Sequence, residues 1–366
     1  MKIDIILPFR EKFTLSKASA VSTSVKNSIM YSAYKNNIKI YGQRVNKPIL
    51  ENNFIGIKTN RLIHFSNNVS LIKNYLKLNS NYNEKKIIEI HNRPYLLKYL
   101  FKKIKSNPII IYFHNDPTEM KGSKTIFERE KILQNATAIV FVSDFLKEKF
   151  QEGLSHISSK LFVIPNSLNI NKKSILPKSN KVLFVGRLVK QKGVEIYVDA
   201  ISKIAKNYPD WEFILIGNSG SRNKFFKKNY DKEIIKKFTS IAPNTNYLGF
   251  VSNNEVLKTM QISSILVVPS LWEEPFGLTA IEGLSNRMLV IGNNVGGLKE
   301  IIFKRGVLIN NINKDKLLLK LIELLNNPEL ILDIQKKCWE TYIYDQDKVS
   351  YQQDQMRKNI FNKFFE

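Results

Sequence analysis

Two hydrophobic rhythms alternate along this chain. Short runs rich in Ile, Val, Leu and Phe recur between longer stretches in which apolar residues return every three or four positions. A continuous short run fits a strand buried on both faces, and the longer spacing fits an amphipathic helix. Residues 2–7, 38–41, 87–90, 108–113, 135–142 and 161–164 are therefore predicted strands, with helices at 20–36, 95–104 and 144–150. Pro177, set among Lys, Asn and Ser, marks 169–180 as a linker. The alternation then restarts with strands at 182–185, 212–216, 246–249, 265–268 and 288–292 and helices at 195–206, 254–260 and 278–285. Strands alternating with helices form parallel sheets covered on both faces. The fold class is α/β, with two doubly wound, Rossmann-like domains at 1–168 and 181–344. In the tail from 333 to 366, Trp339, Ile343, Tyr351, Met356, Ile360 and Phe364 stand at helical spacing. No short period repeats, which argues against a solenoid.

Composition narrows the setting. At 366 residues the chain is long enough for two cores. Its one cysteine, Cys338, excludes an internal disulfide framework and a Cys-rich zinc site, which suits a reducing cytoplasm. No apolar run approaches the roughly 18 residues needed to span a bilayer. Met1 to Phe9 is broken by Asp4 and Pro8, so it reads as a first strand and not as a signal peptide. The expectation is a soluble or peripheral protein, on the cytoplasmic face of the inner membrane if peripheral. The net charge is +25, and residues 1–170 carry 27 Lys and Arg against 12 Asp and Glu. Such a field attracts polyanions or an anionic lipid surface. An abundance of Lys, Asn and Ile throughout gives an equally simple compositional origin.

The chemistry concentrates in two segments. Ser270-Leu271-Trp272-Glu273-Glu274-Pro275-Phe276-Gly277-Leu278-Thr279-Ala280-Ile281-Glu282 runs from a strand end through a loop into a helix. Glu274 falls on the loop and Glu282 about one turn inside the helix. The amides of Phe276, Gly277 and Leu278 fall at the helix N-terminus, where unpaired donors and the macrodipole favour a diphosphate. A carboxylate such as Glu282 accepts two hydrogen bonds from a ribose diol, and Glu274 suits sugar hydroxyls. The second segment, Val182-Leu183-Phe184-Val185-Gly186-Arg187-Leu188-Val189-Lys190-Gln191-Lys192-Gly193-Val194, places Arg187 and Lys192 five apart after a strand. Two cations there neutralise a diphosphate and its leaving charge.

Together these segments closely resemble the Glu-x7-Glu and Arg/Lys motifs of the group 1 glycosyltransferases, a retaining family of GT-B architecture. The resemblance extends through Tyr247-Leu248-Gly249-Phe250-Val251 and Val295-Gly296-Gly297-Leu298-Lys299-Glu300, and more weakly through Glu89-Ile90-His91-Asn92-Arg93-Pro94 and Tyr112-Phe113-His114-Asn115-Asp116. It implies a crevice between two domains and a C-terminal helix, about 345–366, crossing back to the N-terminal one. It also implies transfer of a hexose-type sugar from a nucleotide-diphosphate donor, of the UDP-sugar kind, to a glycan or glycolipid in envelope polysaccharide or lipopolysaccharide synthesis. His114, Arg187, Lys192 and Glu274 become the catalytic group, His114 donating a hydrogen bond to a donor-sugar hydroxyl or the reacting region. Phe276, Gly277, Leu278 and Glu282 complete the donor site. No metal or cofactor is expected, and no nucleic-acid partner. Anionic inner-membrane lipids are a possible peripheral contact, through the lysine-rich segment 95–105.

Three departures qualify the resemblance. Ala18 and Ser19 stand where the family usually has glycines in a loop contacting donor or acceptor. Asn166-Ser167 replaces Asn-Gly, and Asn166 suits either the crevice or a turn. Arg287 stands where glycine usually ends the helix after Glu282, and a left-handed cap there costs on the order of 1 kcal/mol. His91, His64 and His156 read first as structural. Asp345-Gln346-Asp347 resembles a metal motif of another glycosyltransferase fold but lies in the helical tail. A non-hydrolysing sugar-nucleotide epimerase and a catalytically silent binding protein share the architecture.

Overall fold

The computed structural model describes residues 1–14, 19–60, 65–81, 83–156, 158–169, 177–220 and 230–366. It divides into two compact units, Met1–Ser167 with Tyr344–Glu366, and Leu168–Ile343. In the first unit, strands β1 (Lys2–Ile6), β2 (Ile38–Gln43), β3 (Phe54–Ile57), β4 (Lys86–His91), β5 (Ile109–Phe113), β6 (Ala138–Phe141) and β7 (Leu161–Val163) form one sheet. Its order is β3-β2-β1-β4-β5-β6-β7, and every pairing is parallel. Helices α1 (Ala20–Met30), α2 (Asn67–Leu78), α3 (Leu97–Phe101), α4 (Ile126–Asn135) and α5 (Asp144–Gln151) connect the strands. β4, β5 and β6 are buried at every position, as strands covered on both faces must be.

The second unit repeats the plan with β8 (Ser179–Val185), β9 (Glu212–Ile216), β10 (Thr245–Gly249), β11 (Ser263–Val268), β12 (Leu289–Asn293) and β13 (Val307–Ile309). The order is β10-β9-β8-β11-β12-β13, again all parallel. Between and after them run α6 (Val194–Ile204), α7 (Tyr230–Thr239), α8 (Asn253–Ile262), α9 (Leu278–Ser285), α10 (Leu298–Ile302), α11 (Lys314–Leu325) and α12 (Pro328–Glu340). The last helix, α13 (Gln346–Phe365), belongs to the first unit. In each sheet the strand order reverses once, between β1 and β4 and between β8 and β11. Ligands bind at such switch points, beyond the carboxyl ends of the strands.

Several elements depart from the hydrophobic pattern. α1 stops at Met30, six residues short of the expected 36, because Ser32 and the Ala33 amide turn to the Asp354 carboxylate at 2.9 and 2.8 Å. The helix expected over 95–104 is a short turn, Pro94–Leu96, followed by α3. β3, β13, α2, α4, α7, α10 and α11 are not predicted by the pattern, although Thr125 and Glu128 form a capping box that a reader could have used for α4. The expected linker 169–180 includes residues 170–176, which lie outside the described residues, and β8 already begins at Ser179.

The tail is two helices, broken over 341–345 where the chain leaves one unit for the other. Ile343 and Tyr351 are exposed, so the apolar spacing misidentifies the buried face. That face instead carries Ser350, Gln353, Asp354 and Arg357 beside Val349, Met356 and Ile360. Arg357 is wholly buried and grips Glu89 of β4 with two bonds, Nε to Oε1 and Nη2 to Oε2, both 2.8 Å. Tyr112 donates to Glu89 at 3.1 Å, and Gln353 donates to the Tyr112 hydroxyl at 2.9 Å. A charge buried this deeply persists only when paired. Arg357→Met is expected to lower stability by about 3–5 kcal/mol. Adding Glu89→Gln should recover part of that loss, because the stranded carboxylate is gone. Urea denaturation of both variants checks this, and a further loss in the double variant would contradict it.

Candidate donor-binding site and the histidine pair

In the second unit β8 and β11 are neighbours in register, Phe184 beside Val267, so the loops leaving their carboxyl ends must meet. The first loop passes exposed Arg187 and buried Leu188 and Val189 to a turn at Lys190–Lys192. Gly193 then starts α6 at φ 67°, and a Cβ there would lie 1.9 Å from the Pro269 carbonyl oxygen. Only glycine allows the two loops to approach so closely. The Leu271 amide ties them together by donating to the Gln191 carbonyl at 2.9 Å.

Glu274 is buried on the second loop, where Lys192 Nζ pairs with its Oε1 and Ser270 Oγ donates to the same oxygen at 2.6 Å. Lys192 also stands 5.5 Å over the Trp272 ring. The loop backbone is held from behind. Asn293 donates to the Ser270 carbonyl at 2.8 Å, and the Gly297 amide donates to the Glu274 carbonyl at 2.7 Å. That second contact gives the Val295-Gly296-Gly297 segment a packing purpose.

Gly277 adopts φ 125° and caps α9 without any side-chain hydrogen bond to the helix end. The Leu278 and Thr279 amides therefore keep their donor capacity, with the positive end of the helix dipole, for a ligand, while the Ala280 amide already donates to the Gly277 carbonyl at 3.0 Å. Phe276 is buried immediately before them. Glu282 sits on α9, half-buried, and its carboxyl is pushed up to about 7 by loss of solvent, opposed by a 3.2 Å hydrogen bond from Asn253. Lys192, Glu274, Phe276, Gly277, Leu278 and Glu282 thus belong to one face of one unit, with Arg187 on the adjoining loop.

The first unit has its own cluster at the ends of β4 and β5. His91 ends β4 and His114 follows β5, and His91 Nδ1 lies 2.9 Å from His114 Nε2. The rings stack at 5.1 Å, and His91 stacks on Tyr112 at 4.4 Å. Asn92 and Arg93 are both left-handed, at φ 54° and 59°. Asn92 accepts from the His114 amide at 3.0 Å, so this unusual backbone sets the position of His114. Burial depresses the basicity of both rings. His91 is lowered although Glu89 opposes the shift, and His114 is lowered further, with His91 adding to the effect.

Among the other candidates, Ser19 caps α1 by accepting from the Ser22 amide at 3.2 Å and donates to Glu11, whereas Ala18 lies outside the described residues. Asn166 is buried and accepts from Ser24 at 2.5 Å. Arg287 is left-handed at φ 56°, and its guanidinium stacks 3.9 Å over Trp339. His156 is exposed beside Ser155, and His64 lies outside the described residues. Sequence reasoning missed Asn253, Asn293 and the Glu89–Arg357 pair, which have no motif spacing to reveal them.

The family model for glycosyl transferases group 1 matches residues 166–338. An uncharacterized glycosyltransferase of Methanocaldococcus jannaschii is 34% identical over 274 residues, 72% of this chain and 72% of that one. The chain belongs to the group 1 glycosyltransferases. A lipopolysaccharide 1,2-N-acetylglucosaminetransferase of Salmonella typhimurium is 22% identical, over 60% of this chain and 57% of its own. The crystal structure of Anabaena HepE with UDP-glucose matches at TM-score 0.74 with 16% identity, covering 98% of this chain and all of that one. At that identity the likeness concerns the fold, which is GT-B.

Glu282 gives this glycosyltransferase a pH signature. Its folded pKa is raised above the ordinary 4.5, so folding favours the protonated form. The associated stability is complete below about pH 4.5 and is lost as pH rises through about 7. Glu282→Gln should therefore raise the melting temperature at pH 8 and change it little at pH 5. Calorimetry at the two values checks the sign, and a destabilised variant at pH 8 would refute it.

Proposed function

We propose that this glycosyltransferase moves a hexose-type sugar from a UDP-linked donor to a glycan or glycolipid acceptor with retention at the anomeric carbon, in envelope polysaccharide assembly. The observation that carries this reading is the meeting of Lys192 and Glu274 beside the uncapped start of α9. Lys192, Arg187 and the first amides of α9 take the negative charge that develops on the departing diphosphate, a role that needs no metal. Glu274 receives sugar hydroxyls, and Lys192 turns from it toward the phosphates when donor enters. Glu282 holds the ribose diol. The diol donates to the charged carboxylate, so donor binding pulls the Glu282 pKa back down. Retention fits front-face attack along the leaving diphosphate, with no protein nucleophile. The relative that acts on lipopolysaccharide and the fold neighbour bound to UDP-glucose support the acceptor and donor classes.

Lys192→Ala and Glu282→Gln, each assayed with a UDP-hexose panel and a chelator present, should reduce turnover at least about tenfold, the size of one lost charge-assisted bond. Proton NMR of the wild-type product should show the donor's anomeric configuration. Unchanged rates in both variants, or an inverted product, would remove the proposal. Because Glu282→Gln is expected to gain stability at pH 8, its lost turnover cannot be attributed to unfolding.

Acceptor contact is assigned to the first unit. Its segment 95–105 buries Leu96, Leu97, Leu100 and Ile104 and leaves Lys98, Lys102, Lys103 and Lys105 exposed. Next to it a cavity of about 530 Å³ is lined by Tyr95, Lys98, Lys121, Phe127 and Lys131, with Ile126 and Phe127 exposed at its side. Basic and aromatic groups mixed in this way suit an anionic membrane surface where a glycolipid acceptor resides. No helix among the described residues is long and apolar enough to cross a membrane. Sedimentation with anionic vesicles should show binding at low salt that weakens steeply as salt rises. Protein that stays in the supernatant at low salt would favour a glycan acceptor free of lipid.

A further inference from the structure

The two histidines of the first unit are joined to a fixed negative charge. Glu89 and His91 are two residues apart on β4, so their side chains leave the same face of the sheet. The Glu89 carboxylate is fully buried. Burial alone would raise its pKa, but Arg357, from α13, and His91 hold it down at about 2, so it stays ionised. Its Oε2 lies 3.8 Å from His91 Nε2, an atom that is buried and has no hydrogen-bond partner among the described residues. On its other side His91 Nδ1 meets His114 Nε2 at 2.9 Å. One of these two nitrogens carries the shared proton.

Electrostatics decides which. A neutral imidazole has one N–H and one lone pair. If His91 carried its proton on Nδ1, the lone pair on Nε2 would face the Glu89 carboxylate across a buried gap, negative toward negative. With the proton on Nε2, the N–H dipole points at that carboxylate and Nδ1 is left to accept. His114 must then donate from Nε2, which leaves its own Nδ1 without a proton. His114 is partly exposed, and its Nδ1 has no partner among the described residues.

We propose that Glu89 and His91 are positioning residues that fix the tautomer of His114, so that His114 Nδ1 accepts a hydrogen bond from a sugar hydroxyl. This reverses the direction expected from the sequence, in which His114 donates. That the hydroxyl belongs to a sugar rests on the glycosyltransfer reading; the tautomer does not. The charged and titratable groups packed on the pair come from three elements: Glu89 from β4, Tyr112 from β5, and Arg357 with Asp354 from α13. Arg357 repels a proton on His91 while Glu89 attracts one, and burial lowers both rings, so both stay neutral near pH 7. His91 is itself the largest charge-bearing neighbour of His114, and a charge on His91 would lower His114 further.

Long-range nitrogen–proton NMR of the full chain reads the ring nitrogens directly, with the four histidines assigned by single substitutions. From about pH 6 to 8, both His91 and His114 are expected to carry protons on Nε2 and none on Nδ1. A proton on Nδ1 of either ring overturns the relay. His91→Phe keeps the stack on Tyr112 but removes the acceptor, so His114 should populate both tautomers. Transfer is then expected to fall about tenfold, the scale of one lost hydrogen bond, with a changed pH profile. An unchanged tautomer and pH profile in this variant refute the positioning role, whatever its rate. If His91→Phe does not fold, His91→Leu, which also lacks a side-chain acceptor, gives the same readings. The tautomer measurement uses no sugar, so failure of every UDP-hexose in the wild type would sink the proposed function and leave the relay result standing.

Discussion

A carboxylate buried without a cation is too costly to persist, and both units of this protein are organised around one that is paired. In the second unit Glu274 is brought under the surface and answered by Lys192 and Ser270. The pairing is possible only because β8 and β11 are adjacent and parallel, which delivers both loops to the same end of the sheet. Gly193 removes the one Cβ that would keep the loops apart. Asn293 and Gly297 then fix the backbone on which Glu274 rides. Each feature would have little purpose without the charge pair at its centre.

The first unit solves the same problem with a different cation. Glu89 is answered by Arg357, which arrives from a helix 268 residues away in sequence. The guanidinium matches both carboxylate oxygens as a fork, geometry that Lys could not reproduce. Docking α13 is therefore coupled to keeping Glu89 ionised, and in the proposed relay an ionised Glu89 orients the two histidines. On the proposed reading, stability and site chemistry share one network here, while the ion pair of the second unit is exchanged for a ligand's charges. That contrast follows from access. Arg357 is wholly buried, whereas Lys192 is still partly in contact with solvent.

Much of the plan was legible in the chain. The strands predicted at 87–90, 108–113, 182–185 and 265–268 lie within three residues of β4, β5, β8 and β11 at each end, because strands buried on both faces are continuous apolar runs. The helix start at Leu278 was marked by Gly277, and the left-handed Arg287 by its place after the helix. The tail was not read correctly. Its apolar spacing pointed to Ile343 and Tyr351, which are exposed, while the buried face contains Gln353, Asp354 and Arg357. Polar residues go inside when partners wait for them, and a helical wheel cannot know that Glu89, Tyr112 and Ser32 are there.

The sequence by itself determined the alternation of strand and helix, the division into two Rossmann-like halves, and the identity of the loops that carry Arg187, Lys192 and Glu274 and of the helix that carries Glu282. These are local properties, set by side-chain period, by glycine's access to positive φ and by where an apolar run stops. Tertiary structure decided which of these groups meet, and in what state. Strand order placed Lys192 against Glu274 and His91 against His114. Burial raised Glu282 and lowered both histidines, while Arg357 and His91 kept the buried Glu89 charged against it. Charge states and tautomers depend on distance and on exclusion of water. Neither is a property of any residue until the chain has folded around it.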